Sequence, residues 1–134
     1  MRDNGDEKDE VEIVYAIRYA PRAVQDIEKE HERLALLAGD SLADDWEIGL
    51  SRAVGTLARL PTIHAVIAEQ KLFGKGRIHE LLYQRSSTSA KYRVLFIVRK
   101  NELDAPFVRL LHIRHGARRP ITQVEAAEIK AEDF

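Results

Sequence analysis

Two apolar stretches, residues 92–98 and 108–115, constrain the fold of this chain more than any other part of its sequence. Both are rich in β-branched and aromatic side chains, and a polar segment that contains Pro106 separates them. We therefore predict two neighbouring strands in the middle of a sheet. These strands carry much positive charge, which continues into the segment that follows. The basic residues concerned are Arg93, Arg109, His112, Arg114, His115, Arg118 and Arg119.

The segment nearest the N-terminus predicts a strand followed by a helix. Apolar side chains alternate over residues 11–19, which is typical of a strand with one buried face. Pro21 ends this strand and suits the first position of a helix. Apolar residues then recur at about 3.6-residue spacing as far as Ala38, and Gly39 is the expected C-terminal cap. We therefore predict a helix over residues 21–38.

A second helix is predicted from residue 42 to about residue 60. Ser41 and Asp44 resemble a capping box at its start, and Pro61 prevents the helix from continuing. Because the connection between the two helices is short, the pair should form an antiparallel helical hairpin. Its apolar stripe needs a partner surface, and the sheet is the only candidate.

Two further elements complete the predicted fold. Residues 77–84 have the composition of a strand, and Thr122 with Glu125 predicts a capping box that begins a short helix over residues 122–132. The order is then strand, helix, helix, strand, strand, strand, helix. This order predicts an α+β domain in which the helical hairpin packs on one face of an antiparallel sheet, with a short C-terminal helix.

The composition predicts one domain with an extension on each side. The 134 residues are about the usual length of one domain. Residues 1–10 contain five acids and one apolar residue, which predicts a disordered acidic tail. Residues 11–119 then form the domain, and residues 120–134 form a C-terminal helical extension.

The net charge of −1 hides an asymmetry along the chain. Residues 71–119 contain 12 lysines and arginines against 3 aspartates and glutamates, whereas residues 1–70 contain 8 against 15. A basic half joined to an acidic half suggests an anionic partner for the basic half, such as nucleic acid or an acidic protein segment. The alternative is that the two halves neutralise each other across the fold.

Several classes of site and location are disfavoured. The chain has no cysteine, which excludes disulfides and thiolate metal sites and fits a cytoplasmic protein. No apolar run approaches the roughly 18–20 residues that span a membrane, and the acidic N-terminus does not resemble a signal peptide. The motifs HExxH, GxGxxG and the nucleophile elbow are missing. His112 and His115 should lie on opposite faces of a strand, so we expect no metal shared between them.

The basic residues of the central strands suggest a surface that binds phosphate. If the hairpin covers one face of the sheet, the charged side chains should gather on the opposite face or at its end. A concave basic surface would then contain Arg93, Arg114, His115, Arg118 and Arg119. Arginine donates two hydrogen bonds at once to phosphate and histidine transfers protons near neutral pH, so this surface could hold and cleave RNA without a metal. The alternative is a salt-bridged sheet edge and a solvated turn.

Four segments of the chain together follow the pattern of a known family. They are the strand-to-helix junction at residues 15–27, Pro61 after a leucine-rich helix, the strand at residues 92–96 and the closing strand at residues 112–118. In their order and spacing the chain resembles the RelE/ParE superfamily, the toxins of type II toxin–antitoxin modules. The resemblance covers about residues 11–119 and implies a helical hairpin on an antiparallel sheet. It also implies a cytoplasmic toxin of the plasmid-stabilisation type, which inhibits growth and is neutralised by a cognate antitoxin.

Two branches of the superfamily differ in their targets. RelE-like members cleave mRNA on the ribosome without cofactors, whereas ParE-like members inhibit DNA gyrase. Arg93 matches the strand arginine with which the ribonucleases stabilise the phosphate in the transition state. His115 falls where some of them carry a catalytic acid or base. The resemblance therefore implies that Arg93 and His115 are catalytic if the protein is a ribonuclease.

Other positions favour the ParE branch. The positions at which RelE places two catalytic lysines align best with Ile78 and Glu80, and no tyrosine follows the closing strand. The ending His-Gly-Ala-Arg at residues 115–118 and the two long helices look more like ParE. We therefore expect a gyrase inhibitor, with an mRNA endoribonuclease as the alternative and a non-toxic partner-binding domain as a second one. The residues that would contact a partner or target are Arg109, Arg114, Arg118 and Arg119.

Overall fold

A four-stranded sheet forms the centre of the fold, and its two middle strands are the ones that the sequence predicts. The computed structural model describes residues 13–100 and 105–131, so the predicted tail at residues 1–10 lies outside the described residues. The strands lie side by side in the order β1, β4, β3, β2. In chain order they are β1 (Ala16–Tyr19), β2 (His79–Gln84), β3 (Lys91–Arg99) and β4 (Phe107–His115).

The sheet is mixed, although the α+β class is as predicted. β3 runs antiparallel to both β2 and β4, but β1 runs parallel to β4, with Ala16 opposite Phe107. The expectation of a fully antiparallel sheet is therefore wrong, because alternation identifies a strand without giving the direction of its neighbour. β1 is also shorter than the predicted strand over residues 11–19. The N–H group of Tyr15 donates to the carbonyl of Ala58, 2.8 Å away and outside the sheet.

Two helices, α1 (Pro21–Ala38) and α2 (Asp40–Gly55), form the predicted hairpin. Pro21 lies at the start of α1, where a missing N–H group costs no hydrogen bond. Gly39 adopts a φ of +96°, which a residue without Cβ tolerates, and donates its N–H to the carbonyl of Ala35 at 2.9 Å. In the part of the chain that the structure describes, no helix combines the length and the apolar character needed to cross a membrane.

The boundaries of α2 differ from the prediction. The helix starts at Asp40 and has no side-chain cap. The prediction of a capping box at Ser41 and Asp44 is therefore wrong. The carboxylate of Asp44 instead bonds across the hairpin to Nε2 of His31, at 2.9 Å. This bond raises the pKa of His31 above its ordinary value. α2 also ends before its predicted end, and a 3₁₀ turn at Thr56–Ala58 follows it.

The hairpin packs on one face of the sheet and forms a first apolar core. Trp46 and Leu50 of α2 and Phe96 of β3 are at most 2% exposed. The ring of Trp46 lies 5.2 Å from the ring of Tyr92, and the Tyr83 hydroxyl donates to the carbonyl of Trp46 at 3.0 Å. Burial of each such side chain contributes about 1.5–3 kcal/mol, so this core holds the hairpin on the sheet.

The opposite face of the sheet is covered as well, by a second apolar core. Its cover is made of residues 61–73 and of α3 (Gln123–Ala131). α3 begins with the predicted capping box, in which Glu125 N–H donates to Thr122 Oγ1 at 3.1 Å and Thr122 N–H donates to Glu125 Oε1 at 3.0 Å. Of the two places that the sequence predicts for a basic surface, the opposite face of the sheet is therefore ruled out, and the end of the sheet remains. The core consists of Ile67, Phe73, Ile78, Leu95, Ile97, Leu111, Ile121, Ala126 and Ile129.

A β-bulge in β4 changes the faces on which its side chains lie. Consecutive residues of β3 pair with His112 and Leu110, which leaves Leu111 as the extra residue. Leu110 and Ile113 consequently belong to the first core, whereas Leu111 belongs to the second. Strict alternation, which would place Leu111 and Ile113 on one face, is therefore wrong for this strand.

Two glycines of α2 provide a matched test of this packing. A Cβ added at Gly49 would overlap the Tyr83 hydroxyl, whereas a Cβ at Gly55 would meet nothing within 4 Å. We expect Gly49→Ala to destabilise the fold by about 1–3 kcal/mol through overpacking. Gly55→Ala should stabilise it by about 0.4–1 kcal/mol, since its backbone is already helical. Urea denaturation measures both, and equal effects would contradict the close approach of α2 to Tyr83.

Candidate functional site

A cleft of about 200 Å³ lies where the end of β4 meets α1. It contains three of the residues that the sequence predicts, Arg114, His115 and Arg118, together with several that it does not. The unpredicted residues are Asp26, Lys29 and Glu30 of α1, Tyr92 of β3 and Ile113 of β4. This cleft is the candidate functional site.

His115 is held at the end of β4 in a defined orientation. Its Nδ1 accepts the backbone N–H of Ala117 at 3.1 Å, so the proton of the neutral ring lies on Nε2. The ring centre lies 5.3 Å from that of Tyr92, in an edge-on arrangement. His115 is half-buried and lines the cleft, and Nε2 is the ring nitrogen that carries the proton.

The carboxylate of Glu30 accepts hydrogen bonds from side chains around the cleft. It accepts the Tyr92 hydroxyl, and its two oxygens accept Nε and Nη2 of Arg33 at 3.0 and 2.6 Å. Burial and the bond to Glu30 raise the pKa of Tyr92 to about 12. Burial opposes ionisation of Glu30, but the bonds from Arg33 and Tyr92 outweigh it and lower the pKa of Glu30. At neutral pH, Glu30 is therefore ionised and hydrogen-bonded, and Tyr92 is neutral and donates a hydrogen bond.

Arg93 lies outside the cleft, in an ion-pair network on the second face of the sheet. Its Nη1 and Nη2 donate to the two oxygens of Glu69 at 2.9 and 2.7 Å, and its Nε donates to Glu80 at 2.7 Å. The hydrogen bonds from Arg93 lower the pKa of Glu69 to about 2. With every guanidinium nitrogen bonded and the side chain only 14% exposed, Arg93 is not presented to a phosphate.

The structure does not bring Arg93 and His115 together. Tyr92 is the residue opposite His115 in the sheet, and Arg93 is opposite Arg114. Since neighbouring residues of a strand point to opposite faces, Arg93 and His115 lie on different sides of the sheet. The predicted basic surface therefore lacks Arg93, whereas Arg114, His115 and Arg118 do line one cleft.

The C-terminal extension neutralises part of the positive charge at this end of the sheet. The Arg114 side chain is fully buried, donates to the carbonyl of Arg119 at 2.8 Å and lies 3.5 Å from Glu125. Burial lowers the pKa of Arg114. Arg118 is 51% exposed and pairs with Glu125 at 2.9 Å. The remaining predicted contact, Arg109, lies opposite Ile97 in the other half of β4.

A buried histidine and aspartate form a pair that sequence reasoning missed. His112 is 2% exposed, and its Nδ1 lies 2.7 Å from the carboxylate of Asp26, which also accepts the backbone N–H of Ile113 at 2.9 Å. β1 ends at Tyr19, and Asp26 occupies the edge of β4 beyond that point. Because the ring of His112 is enclosed, the pair holds α1 on β4 and does not reach a substrate.

The cleft is suited to binding an anionic group. Lys29 and Arg118 are exposed cations, of which Arg118 also pairs with Glu125. His115 offers an N–H donor, and the acids Asp26 and Glu30 accept internal hydrogen bonds. Among residues 13–100 and 105–131, no group of three or more histidines and acids could hold a metal ion. Binding in the cleft would therefore use charge and hydrogen bonds from the protein.

Glu69→Gln tests the network around Arg93. The lowered pKa of Glu69 means that its contribution to folding is present above the ordinary value of 4.5 and is lost as the pH falls towards about 2. Loss of one partner of a buried pair costs at most about 3–5 kcal/mol here, because Glu80 still pairs with Arg93. We expect lower stability at neutral pH and a flatter stability curve between pH 4.5 and 2.

Urea denaturation at several pH values, followed by circular dichroism, measures this effect. Glu32→Gln is the control, because it removes the same charge from an exposed position of α1. A Glu69→Gln protein whose stability follows that of the Glu32→Gln control at every pH would contradict the network.

Comparison with known proteins gives no assignment for the chain. No family model matches it, and no match was found among the curated proteins or the solved structures. The resemblance to the RelE/ParE superfamily therefore stays a prediction that rests on the order and spacing of residues.

Proposed function

We propose that this protein is the toxin of a type II toxin–antitoxin module and that it arrests growth by inhibiting DNA gyrase, as ParE-like toxins do. The observation that carries this choice is the engagement of Arg93 by Glu69 and Glu80, on the face opposite His115. A ribonuclease needs its phosphate-binding and proton-transferring groups within reach of one phosphodiester. An inhibitor that binds its target needs only exposed and well-held contacts.

The turn after β4 supplies such contacts. Its backbone is held where Gly116 N–H donates to the carbonyl of Lys91 at 2.7 Å and where Arg114 donates to the carbonyl of Arg119 at 2.8 Å. The exposed side chains of Arg118 and Arg119 extend from this turn. We assign target contact to these two arginines, and we assign to Arg114 the positioning of the turn.

The proposal includes a cytoplasmic location, action without a cofactor and a cognate antitoxin as partner. Acidic segments of an antitoxin would meet the exposed basic residues around the cleft. Lys29 and Arg118 line the cleft with exposed side chains, and the exposed Arg119 follows Arg118 in the chain. An antitoxin that covers them would also block their contact with a target.

A ribosome-dependent mRNA endoribonuclease is the second candidate, and the cleft itself favours it. His115 lines the same space as Lys29 and Arg118, and its neutral ring keeps its proton on Nε2. In this reading Arg118, and not Arg93, would hold the phosphate, while His115 would transfer a proton. His115→Ala should then abolish arrest, whereas the gyrase proposal requires that arrest depend mainly on the arginines of the turn.

Induced expression in a bacterial host, with pulse labelling of DNA and protein synthesis, separates these functions. We expect DNA synthesis to stop first, with an SOS response, because gyrase inhibition blocks replication. Purified protein should also inhibit supercoiling by gyrase. Translation that stops first, with cleaved mRNA, would replace the proposal by the ribonuclease. Continued growth without any antitoxin would favour a domain that only binds a partner.

Removal of the exposed arginines tests their assignment. We expect Arg118→Ala with Arg119→Ala to relieve growth arrest while the melting temperature changes little, because an exposed ion pair contributes only about 0–1 kcal/mol. Lys75→Ala with Arg77→Ala is the control, since it removes two exposed charges from the same basic half. Equal arrest by both double variants would contradict contact through the turn.

A further inference from the structure

The side chain of Arg114 is fully buried, and its guanidinium is incompletely hydrogen-bonded. Its Nη2 donates to the carbonyl of Arg119 at 2.8 Å, and its Nη1 has two longer contacts, at 3.4 Å from Nε2 of His112 and at 3.5 Å from Glu125. Its Nε is buried and has no hydrogen-bond partner among residues 13–100 and 105–131. A buried charge needs hydrogen bonds to offset its loss of hydration. The position of this guanidinium therefore depends on the few acceptors around it.

His112 offers one of these acceptors because of the position of its proton. Its Nδ1 lies 2.7 Å from the carboxylate of Asp26, and the proton of the neutral ring therefore lies on Nδ1. Nε of Arg22, at 3.3 Å from the same Nδ1, is a donor and a more distant neighbour, so it does not change this assignment. Nε2 of His112 then keeps its lone pair and faces Nη1 of Arg114. The carboxylate of Asp26 thus selects the tautomer that accepts from Arg114.

The contacts continue from Arg114 to the turn after β4, through the carbonyl of Arg119. If His112 offered no acceptor, Nη1 of Arg114 would keep, among the described residues, its long contact with Glu125. A buried donor that loses its acceptor costs free energy, so the guanidinium would move towards another acceptor or towards water. Because Nη2 is bonded to the carbonyl of Arg119, this movement would also displace the turn.

We infer that Asp26 and His112 are positioning residues for the turn that carries Arg118 and Arg119. Asp26 fixes the tautomer of His112, and Nε2 of His112 keeps Arg114 where it bonds to the turn. This role requires a lone pair on Nε2 of His112, whereas a role in packing requires only the volume of the ring. The inference rests on the proposed function only where it assigns target contact to the turn.

Nitrogen NMR of the histidine rings in the wild-type protein tests the tautomer directly, because it separates protonated from unprotonated ring nitrogens. At about pH 8, where histidine is ordinarily neutral, we expect His112 to carry its proton on Nδ1. His115 is the internal comparison, because its Nδ1 accepts the N–H of Ala117 at 3.1 Å and its proton should lie on Nε2. A proton on Nε2 of His112 at this pH would overturn the inference.

His112→Gln and His112→Asn then separate hydrogen bonding from packing, since both remove the ring. The Gln side chain is long enough to bring its oxygen to the place of Nε2, whereas the Asn side chain reaches only the place of Nδ1. Gly116 reports on the turn, because its N–H donates to the carbonyl of Lys91 at 2.7 Å. We expect this N–H to exchange with solvent about tenfold faster in the Asn variant than in the Gln variant, as for the loss of one hydrogen bond to a charged group.

The same two variants connect the turn to the proposed function. Supercoiling by gyrase should be inhibited about tenfold less by the Asn variant than by the Gln variant. His31→Asn is the control, because His31 also pairs with a carboxylate, that of Asp44 at 2.9 Å, but does so across the hairpin. This control should change neither the exchange of Gly116 nor the inhibition.

Equal exchange of Gly116 in the Asn and Gln variants would overturn the inference, and so would equal inhibition by the two variants if the wild-type protein inhibits gyrase. The ring measurement decides if the Asn variant does not fold, because it uses the wild-type protein. A wild-type protein that leaves gyrase active refutes the proposed target, whereas the ring and exchange measurements still judge the positioning of the turn.

Discussion

Burial of both faces of the central strands is the constraint on which the rest of this structure depends. Val94 and Phe96 of β3 point into one core and Leu95 and Ile97 into the other, and none of them is more than 1% exposed. A sheet that is apolar on both sides must be covered on both sides. The hairpin covers one face, and residues 61–73 with α3 cover the other. α3 is thus a structural part of the described domain.

This constraint also explains the charge in the central strands. An arginine on a covered face must be paired, because a buried charge without a partner is costly. Glu69 and Glu80 pair with Arg93, and Glu125 lies beside Arg114. Glu69 comes from the acidic first half of the sequence, so part of the charge asymmetry is neutralised within the fold.

The sequence predicts a helix boundary correctly where residues at that boundary determine it. Pro21 and Gly39 bound α1, and the capping box of Thr122 and Glu125 begins α3, as their sequence signals predict. Other features depend on contacts between segments far apart in the chain. These are the bulge at Leu111, the parallel pairing of β1, and the covering of the second face by residues 61–73 and α3. Period-two alternation contains none of this information. For the same reason Asp26 could not be assigned to the edge of β4, although it stands in the segment that resembles the family.

The separation of Arg93 from His115 follows from the same geometry and limits the chemistry of the site. Tyr92 and His115 face each other across β3 and β4, so the residue after Tyr92 must point away from the cleft. A change of side-chain rotamer cannot bring Arg93 through a sheet whose two faces are both packed. Chemistry in the cleft would have to use Lys29, His115 and Arg118, of which only His115 is suited to proton transfer near neutral pH. The exposed arginines after β4 could bind a target without meeting at a single phosphate. For this physical reason we prefer an inhibitor to a nuclease.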